Sequence, residues 1–343
     1  MRVVTIGPMG FLTHTRVLVV GWALVAAIVA LGAVTVSVGP VAVSVADSLL
    51  AALGIPVGPP GDFIVGQLRA PRMYTTLLMG AMFGLSGTIL QSLTRNPLAS
   101  PDFIGISAGA GMGAVITIAT VGTTSVWITA GGAAAGALLA AAIMVALSWR
   151  RGIVPLRLIL TGIGIGFVAS AVSQYILTIL DISIAQNALI WLVGSTNAST
   201  WQQVLVCAVV LAVLLPPIMW LSRPLRTLEM GDETAAALGV AVTRSRLLLA
   251  VASVLLAAGA TAVVGPVGFI ALVAPALARH LTRAPGVTLL PSALMGAALA
   301  LAADLAAQHA TGELQLPIGI YTAAVGAPYL LYLVWRSARG GTA

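Results

Sequence analysis

The chain has 343 residues, of which 59% are apolar and only 7% charged, and its mean hydropathy is +1.09. No soluble domain of this length has such a composition, so the sequence predicts an all-α polytopic membrane protein with one transmembrane domain over residues 1–343. The net charge of +7 comes from Arg alone, because the chain contains no Lys. In a membrane protein Arg sets topology, and we expect no nucleic-acid partner.

Several chemical functions are excluded by what the sequence lacks. The single cysteine, Cys207, rules out an intrachain disulfide and a Cys-rich metal site, and three scattered His do not suggest a metal cage. No phosphate-loop motif is present, so the chain does not hydrolyse ATP by itself. We therefore expect no catalytic residue, no metal site and no cofactor bound by this chain.

Apolar runs of about 20 residues predict ten transmembrane helices. The eighth is interrupted by glycine and proline, which leaves open a half-helix or a re-entrant element there. The stretches 39–66 and 181–200 are expected to be a Pro/Gly-rich and a polar connection. In chain order the predicted spans cover residues 17–38, 72–93, 103–121, 126–148, 157–180, 201–221, 247–264, 265–283, 287–306 and 317–335.

The distribution of Arg predicts the orientation of these spans. With both termini on the cytoplasmic side, fourteen of the sixteen Arg lie on inner segments, and only Arg69 and Arg72 lie outside. This asymmetry follows the positive-inside rule, so we expect a multi-pass protein of the cytoplasmic membrane with cytoplasmic N- and C-termini.

The segment 222–246, between spans six and seven, is the longest strongly polar stretch and is predicted to face the cytoplasm. Asp232 and Glu233 precede good helix formers, and Gly239 follows as a stop, so the pattern predicts a short capped helix. Such a helix is suited to holding a partner outside the bilayer. An ordinary solvated loop is the alternative.

Small and polar residues recur at helical spacing in two spans. In span two, Gly80, Gly84, Thr88 and Ser92 share one face, and close helix packing is the favoured interpretation. In span five, a pathway lining is favoured because Gln174 needs a polar or wet neighbour; that face carries Gly162, Gly166, Ser170, Gln174 and Thr178. Asp304, an acid inside a span, indicates either function or an interhelical hydrogen bond.

An ordered series of landmarks carries a family resemblance from about residue 64 to 335. They are Arg69-Ala-Pro-Arg72, Gly87-Thr-Ile-Leu-Gln91, Arg95-Asn-Pro-Leu-Ala99, Gly105-Ile-Ser-Ala-Gly109, Trp191-Leu-Val-Gly194, Gly265-Pro-Val-Gly-Phe-Ile270, Ala303-Asp304, Leu316-Pro-Ile-Gly319 and Gly326-Ala-Pro328. In this order and at these separations, the chain resembles the membrane-spanning permease subunits of type II ABC importers. That family takes up ferric siderophores, haem and cobalamin.

The resemblance implies a ten-span permease fold with inverted-repeat character and a set of partners. These are two cytoplasmic ATPases that carry the ATP and Mg, a second permease that is identical or homologous, an external substrate-binding protein, membrane lipid, and a metal chelate as substrate.

The resemblance also implies roles for individual residues. Arg69 and Arg72 match the docking arginines for the binding protein, and guanidinium groups suit its carboxylates. The pathway and gate are expected at Gln91, Asn96, Leu98, Gly166, Ser170 and Gln174. Coupling to the ATPases is expected at Met230, Gly231, Asp232, Glu233, Ala236, Leu238 and Gly239.

Three departures from the family pattern put single contacts in doubt. Ala276 follows Pro275 where the family commonly has His, and Gln308 stands where an Arg is often found. The stretch from Glu313 to Pro317 is longer than usual. Such losses would fit a heterodimer in which a sister permease supplies the missing groups.

A ferric siderophore is the first expectation for the substrate, with cobalamin or haem as the alternative within the family. A gradient-driven secondary transporter is the alternative from another class, and a membrane scaffold or receptor is a third.

Overall fold

In a computed structural model, the fold is described for residues 2–6, 9–13, 15–39, 41–102, 105–121, 126–148, 155–197, 199–284, 286–310 and 316–340. Two features of the sequence lie outside these residues. They are the lengthened stretch that begins at Glu313, up to residue 315, and the two arginines at positions 150 and 151.

The described chain is helical apart from an N-terminal hairpin. Strands β1 (Arg2–Ile6) and β2 (Met9–Thr13) pair antiparallel, with Arg2 opposite Thr13. The helices that follow are α1 (Thr15–Ser37), α2 (Val45–Ala52), α3 (Gly61–Phe63), a π-helical segment (Ile64–Arg69), α4 (Ala70–Thr94), α5 (Ile106–Val121), α6 (Val126–Ser148), α7 (Pro155–Ile179), α8 (Ile182–Val193), α9 (Trp201–Glu229), α10 (Asp232–Ala237), α11 (Val242–Val264), α12 (Ile270–Thr282), α13 (Leu289–His309) and α14 (Ile318–Gly340).

Each of the ten predicted spans coincides with a helix, but not every helix has full spanning length. Within the described residues, seven helical stretches are long and apolar enough to cross a membrane: α1, the stretch Gly61–Thr94, α6, α7, α9, α11 and α13. The other predicted spans correspond to the shorter apolar helices α5, α12 and α14. The structure therefore shows a polytopic membrane protein, while the count of ten membrane crossings stays a prediction.

Both long connections contain helices, which the composition of these stretches did not predict. The apolar stretch after Asp181 forms α8, which ends where Gly194 takes a φ of 77°. In the first connection, α2 begins at an N-cap in which the Ser44 hydroxyl accepts a hydrogen bond from Asp47 N. Polar residues that flank such stretches are also what caps short helices.

The interrupted eighth span is a broken helix. Helix α11 ends at Val264, residues 265–269 are not helical, and α12 has 13 residues. At a rise of about 1.5 Å per residue, α12 is about 20 Å long and cannot cross the hydrocarbon core by itself. Gly265 has a φ of 77° and Phe269 a φ of 70°, so the chain turns sharply on both sides of the break.

Helix α4 is the centre of the fold and packs against α9, α11, α12 and α13. Its glycines let these helices approach closely. A Cβ on Gly80 would lie 2.5 Å from the Gly296 carbonyl oxygen of α13, and a Cβ on Gly84 or Gly87 would overlap the backbone of Ser292 or Ala271. The predicted packing role of the small-residue face of span two is confirmed.

We expect Gly296→Ala and Gly84→Ala to destabilise the protein by about 1–3 kcal/mol, because the added methyl group meets backbone atoms that cannot move away locally. Gly131→Ala is the matched control: Gly131 lies in helix α6, and its Cβ would meet nothing within 4 Å. The measurement is the thermal unfolding midpoint in detergent. Equal midpoints for the three variants would contradict the close approach of α4 and α13.

Candidate functional site

The predicted short helix in the polar segment is present as α10. Asp232 and Glu233 occupy its first turn, where the helix dipole favours carboxylates. Gly231 before it has a φ of 120° and Gly239 after it a φ of 81°, so both positions need glycine. These two glycines flank α10, and with Met230 and Leu238 they belong to the α10 region, residues 230–239.

One face of the α10 region is attached to the protein and another is open. Ala235 is buried, and Ala236 and Glu233 are exposed. Two large apolar side chains at either end of α10 point outward, since Met230 is 72% exposed and Leu238 is 65% exposed. A short helical segment with one buried face and exposed apolar side chains is suited to binding in a groove of another protein.

Asp232 ties α10 to two other parts of the chain. Its Oδ1 accepts a hydrogen bond of 2.7 Å from Arg95 Nη2 and another of 2.7 Å from Arg246 Nη2. Arg95 follows α4, whereas Arg246 lies in the first turns of α11. The sequence pattern gave no signal for the pairing of Arg95 with Asp232, because the two residues are 137 positions apart.

The turn between α4 and α5, residues 95–102, contains the predicted gate residues Asn96 and Leu98, and it takes the name gate turn from that prediction. Asn96 Oδ1 accepts a hydrogen bond of 2.9 Å from Leu98 N, and Ala99 N donates to the Asn96 carbonyl oxygen at 3.2 Å. Asn96 and Leu98 are both half-buried. The turn is therefore internally bonded and compact.

The far end of the gate turn is held by Asp102. Its carboxylate accepts hydrogen bonds from Ser107 Oγ at 2.6 Å and from Ser100 Oγ at 3.2 Å, and it also bonds the Phe269 backbone next to α12. Burial raises the pKa of the Asp102 carboxyl, and these hydrogen bonds oppose the rise. The gate turn thus links the α10 region to the broken helix.

Gln91, predicted to line the pathway, is only 2% exposed. Its Nε2 donates to the Leu272 carbonyl oxygen at 3.1 Å, and its Oε1 accepts a hydrogen bond of 2.6 Å from Arg279 Nη2. In this structure Gln91 connects α4 to α12 near the gate turn. Its side chain is buried in these contacts and does not face an open channel.

The predicted pathway face of α7 divides into two parts. Near its start, Gly162 and Gly166 pack against Gly105, whose Cβ would come within 2.5 Å of the Gly162 carbonyl oxygen. Further along, Ser170 and Gln174 are exposed on the surface of the single chain. Gly166 therefore serves helix packing, and the exposed part of the face needs a partner or water.

Arg69 lies at the end of the π-helical segment and is half-buried. Its guanidinium donates to the carbonyl oxygens of Val36, Ser37 and Val41 at 2.7–3.2 Å. It holds the chain that leaves α1. Since neutral carbonyl groups do not cancel its charge, Arg69 still presents positive charge on this side of the molecule.

Arg72 is buried in an ion pair with Asp304 of α13, 3.0 Å apart, with the two side chains 9% and 0% exposed. Asp304 also accepts hydrogen bonds from Thr196 Oγ1 at 2.6 Å and Gln308 Nε2 at 2.7 Å. Of the two interpretations of Asp304, the interhelical hydrogen bond is the one that the structure shows. The docking role of Arg72 stays a prediction, and its guanidinium is turned into the protein.

A half-open cavity of about 330 Å³ lies between α5, α6, α8, α9 and α11. Its polar lining is neutral and comes mainly from the region after α8. The polar lining residues are Thr129, Asn187, Ser195, Asn197, Ser199 and Gln203. No predicted pathway residue lines it. Among the described residues, no group of three or more His, Cys, Asp and Glu could hold a metal ion.

We expect Arg72→Met alone to destabilise the protein by about 3–5 kcal/mol, because it leaves the Asp304 carboxylate buried without its countercharge. The double variant Arg72→Met/Asp304→Leu should recover much of this loss, since no buried charge then remains. Thermal unfolding of the two single variants and the double variant measures the coupling. Additive losses would contradict the ion pair.

Comparisons with known proteins agree with this geometry. A model of the FecCD transport family matches residues 19–336. The ferric enterobactin transport system permease protein of Escherichia coli (strain K12) is 41% identical over 276 residues, covering 80% of this chain and 83% of the relative. The Fe(3+)-citrate import system permease protein of Bacillus subtilis (strain 168) is 40% identical over 279 residues, covering 81% and 84%.

The same result comes from solved structures. An inward-facing conformation of a metal-chelate type ABC transporter superposes with a TM-score of 0.82 at 28% identity, covering 92% of this chain and 99% of that chain. With a family model that matches most of its length, the chain belongs to the FecCD transport family.

Proposed function

We propose that this chain is the permease subunit of an ABC importer that carries a ferric siderophore across the cytoplasmic membrane. Membership of the FecCD transport family supports the transport role. The ferric chelates named for two relatives at 40% identity or more support the choice of substrate. Cobalamin and haem are the alternative cargoes. The iron arrives already chelated, so the permease needs no metal ligands of its own.

The observation that carries the proposal is the open apolar surface of the α10 region. Met230 and Leu238 are 72% and 65% exposed on a segment that the distribution of Arg predicts to be cytoplasmic. Large apolar side chains on a water-facing helix mark a binding surface. The proposed occupant is one of two ATPase subunits, which bind ATP and Mg and move α10 when they close.

A second permease, identical or homologous, is proposed to face α7. Gln174 is exposed in the second half of the apolar helix α7, and an amide facing lipid would have no hydrogen-bond partners. A water-containing pathway between two permeases would solvate Gln174 and Ser170. The pathway would then carry a bulky chelate past small and neutral polar side chains that do not hold it tightly.

An external binding protein is proposed to dock near the start of α4. Arg69 keeps its charge while bonded to carbonyl groups, and acidic residues of a partner would be attracted to it. Arg72 stabilises the start of α4, next to this surface, through its ion pair with Asp304. This orientation places both termini on the cytoplasmic side.

We expect Leu238→Asp to abolish co-purification of an ATPase from mild detergent, because it places a charge where an apolar contact is required. Leu53→Asp is the matched control, since Leu53 is 71% exposed but lies in the connection predicted outside. Mass spectrometry and ATPase activity of the purified material provide the measurement. If the wild-type chain repeatedly purifies alone and well folded, the importer proposal fails.

We expect ATP-dependent uptake of a ferric siderophore when the wild-type complex is reconstituted with a loaded binding protein. Ferric enterobactin, ferric citrate and vitamin B12 would be compared in the same proteoliposomes. Uptake of vitamin B12 alone would replace the siderophore by the alternative cargo. Uptake driven by an ion gradient without ATP would establish a secondary transporter.

A further inference from the structure

Arg95 has no role in the function proposed so far, although it joins the gate turn to the α10 region. It forms the C-cap of α4 in the left-handed conformation, with φ 50° and ψ 34°. Glycine is the residue that adopts this conformation without steric cost. An arginine at this position therefore has a steric cost that its side-chain contacts offset.

The Arg95 guanidinium spans the junction between α9 and α10. Its Nε and Nη2 donate to the Leu228 carbonyl oxygen at 3.2 Å and 2.9 Å, in the last turn of α9. The last carbonyl groups of a helix lack partners within the helix and favour a cation. The same Nη2 donates to Asp232 at 2.7 Å, in the first turn of α10.

The junction that Arg95 spans can act as a hinge. Met230 and Gly231 lie between the two helices, and Gly231 has a φ of 120°. A displacement of α10 about this point changes the position of Asp232 relative to Leu228. Arg95 contacts both, so the displacement reaches the backbone of the gate turn directly.

Hydrogen bonds within the gate turn connect its residues to one another, so we expect a displacement of Arg95 to act on the whole turn. Asn96 bonds Leu98 and Ala99 within the turn, and Asp102 bonds the backbone of Phe269 at the start of α12. The turn therefore has contacts at both ends: the α10 region at Arg95 and the broken helix at Asp102.

We propose that Arg95 is the positioning residue that transmits displacement of α10 to the gate turn. This inference rests on the proposed importer function and adds a specific contact to it. The ion pair is well exposed, with side chains that are 43% and 47% exposed. Exposed pairs contribute little to stability, so this contact can form and break during a transport cycle.

Arg246 provides a matched control within the same site. Its Nη2 lies 2.7 Å from the same oxygen of Asp232, as Arg95 Nη2 does. Arg246 belongs to α11, however, whereas Arg95 is part of the gate turn itself. Removing either guanidinium takes one hydrogen bond from Asp232, but the bond that joins Asp232 to the gate turn is the one from Arg95.

The first experiment measures gate movement in the full complex without depending on the substrate. Leu98→Cys introduces a reporter thiol, and the chain's own Cys207 is buried and silent toward a water-soluble maleimide. Labelling is compared between the nucleotide-free and the vanadate-trapped complex. We expect a change of about fivefold or more in the Leu98→Cys and Arg246→Gln/Leu98→Cys complexes, and no change in Arg95→Gln/Leu98→Cys.

The second experiment measures uptake and ATP hydrolysis in parallel. Arg95→Gln should lower the ratio of uptake to ATP hydrolysed by about fivefold or more, while co-purification of the ATPase is unchanged. In an Arg246→Gln background, the exchange Arg95→Glu/Asp232→Arg should restore the ratio relative to Arg95→Glu alone. The Arg246→Gln background prevents repulsion with the guanidinium introduced at position 232.

The outcomes separate the two claims. If Arg95→Gln retains the nucleotide-dependent labelling change, or if uptake and hydrolysis fall in proportion, the transmission role is overturned. Failure of the exchange to restore the ratio would also overturn it. Absence of ATP-dependent uptake in the wild-type complex would overturn the proposed function, and the transmission role with it.

Discussion

The close approach of α4 to its neighbours is the constraint on which the rest of the structure depends. In a bilayer, lipid chains are as apolar as the side chains they replace, so burying apolar surface does not drive helices together. Glycines at positions 80, 84 and 87 bring α4 against the backbones of α12 and α13. Reciprocal hydrogen bonds between Ser86 and Ser253 fasten it to α11.

Because α4 packs closely along its length, its polar side chains form contacts with neighbouring helices at fixed positions. Arg72 is paired with Asp304 near its start, and Gln91 bonds Leu272 and Arg279 near its end. Both sets connect α4 to helices that it already contacts. Breaking them would leave buried polar groups unsatisfied, so they stabilise the core.

Arg95, just beyond the end of α4, forms a different kind of contact from those of Arg72 and Gln91. Its pair with Asp232 is exposed to solvent, where an ion pair contributes about 0–1 kcal/mol. Such a contact cannot hold the fold together, but it can change partners at low cost. The structure thus places stable contacts along the membrane part of α4 and an exchangeable one at the cytoplasmic end that the sequence predicts.

Local patterns in the sequence predicted the features that depend on nearby residues. The apolar runs located the helices that correspond to the ten predicted spans, and the four-residue spacing of Gly80 and Gly84 indicated the packing face of α4. The acids before Ala235 and the glycine after it predicted α10. Each of these signals lies within one helix or one turn, where propensity and periodicity act.

Contacts between distant parts of the chain could not be predicted in this way. Periodicity placed Gly166 and Gln174 on one face of α7, but it could not show that α5 covers the first and leaves the second exposed. Arg72 and Asp304 are 232 positions apart, so the predicted docking residue gave no sign of its buried partner. The partner of a charged side chain depends on helix packing that a single sequence does not encode locally.

The glycine-rich landmarks acquire a physical meaning in the folded chain, where three helix ends meet. Gly194 after α8, Gly265 after α11 and Gly319 at the start of α14 approach one another so closely that an added Cβ on any of them would meet a backbone carbonyl oxygen. Ser195 N donates to the Val264 carbonyl oxygen at 2.8 Å. Gly319 N lies 3.4 Å from the Gly194 carbonyl oxygen.

Interrupting a helix inside a membrane exposes backbone groups that lipid cannot solvate. Here the interrupted ends satisfy one another, and only residues without side chains allow the approach. Thr196, next to this junction, donates to Asp304, so the buried ion pair of α4 and α13 is connected to it. A break that is supported in this way can keep α12 short and leave its start, at Phe269, in contact with the gate turn.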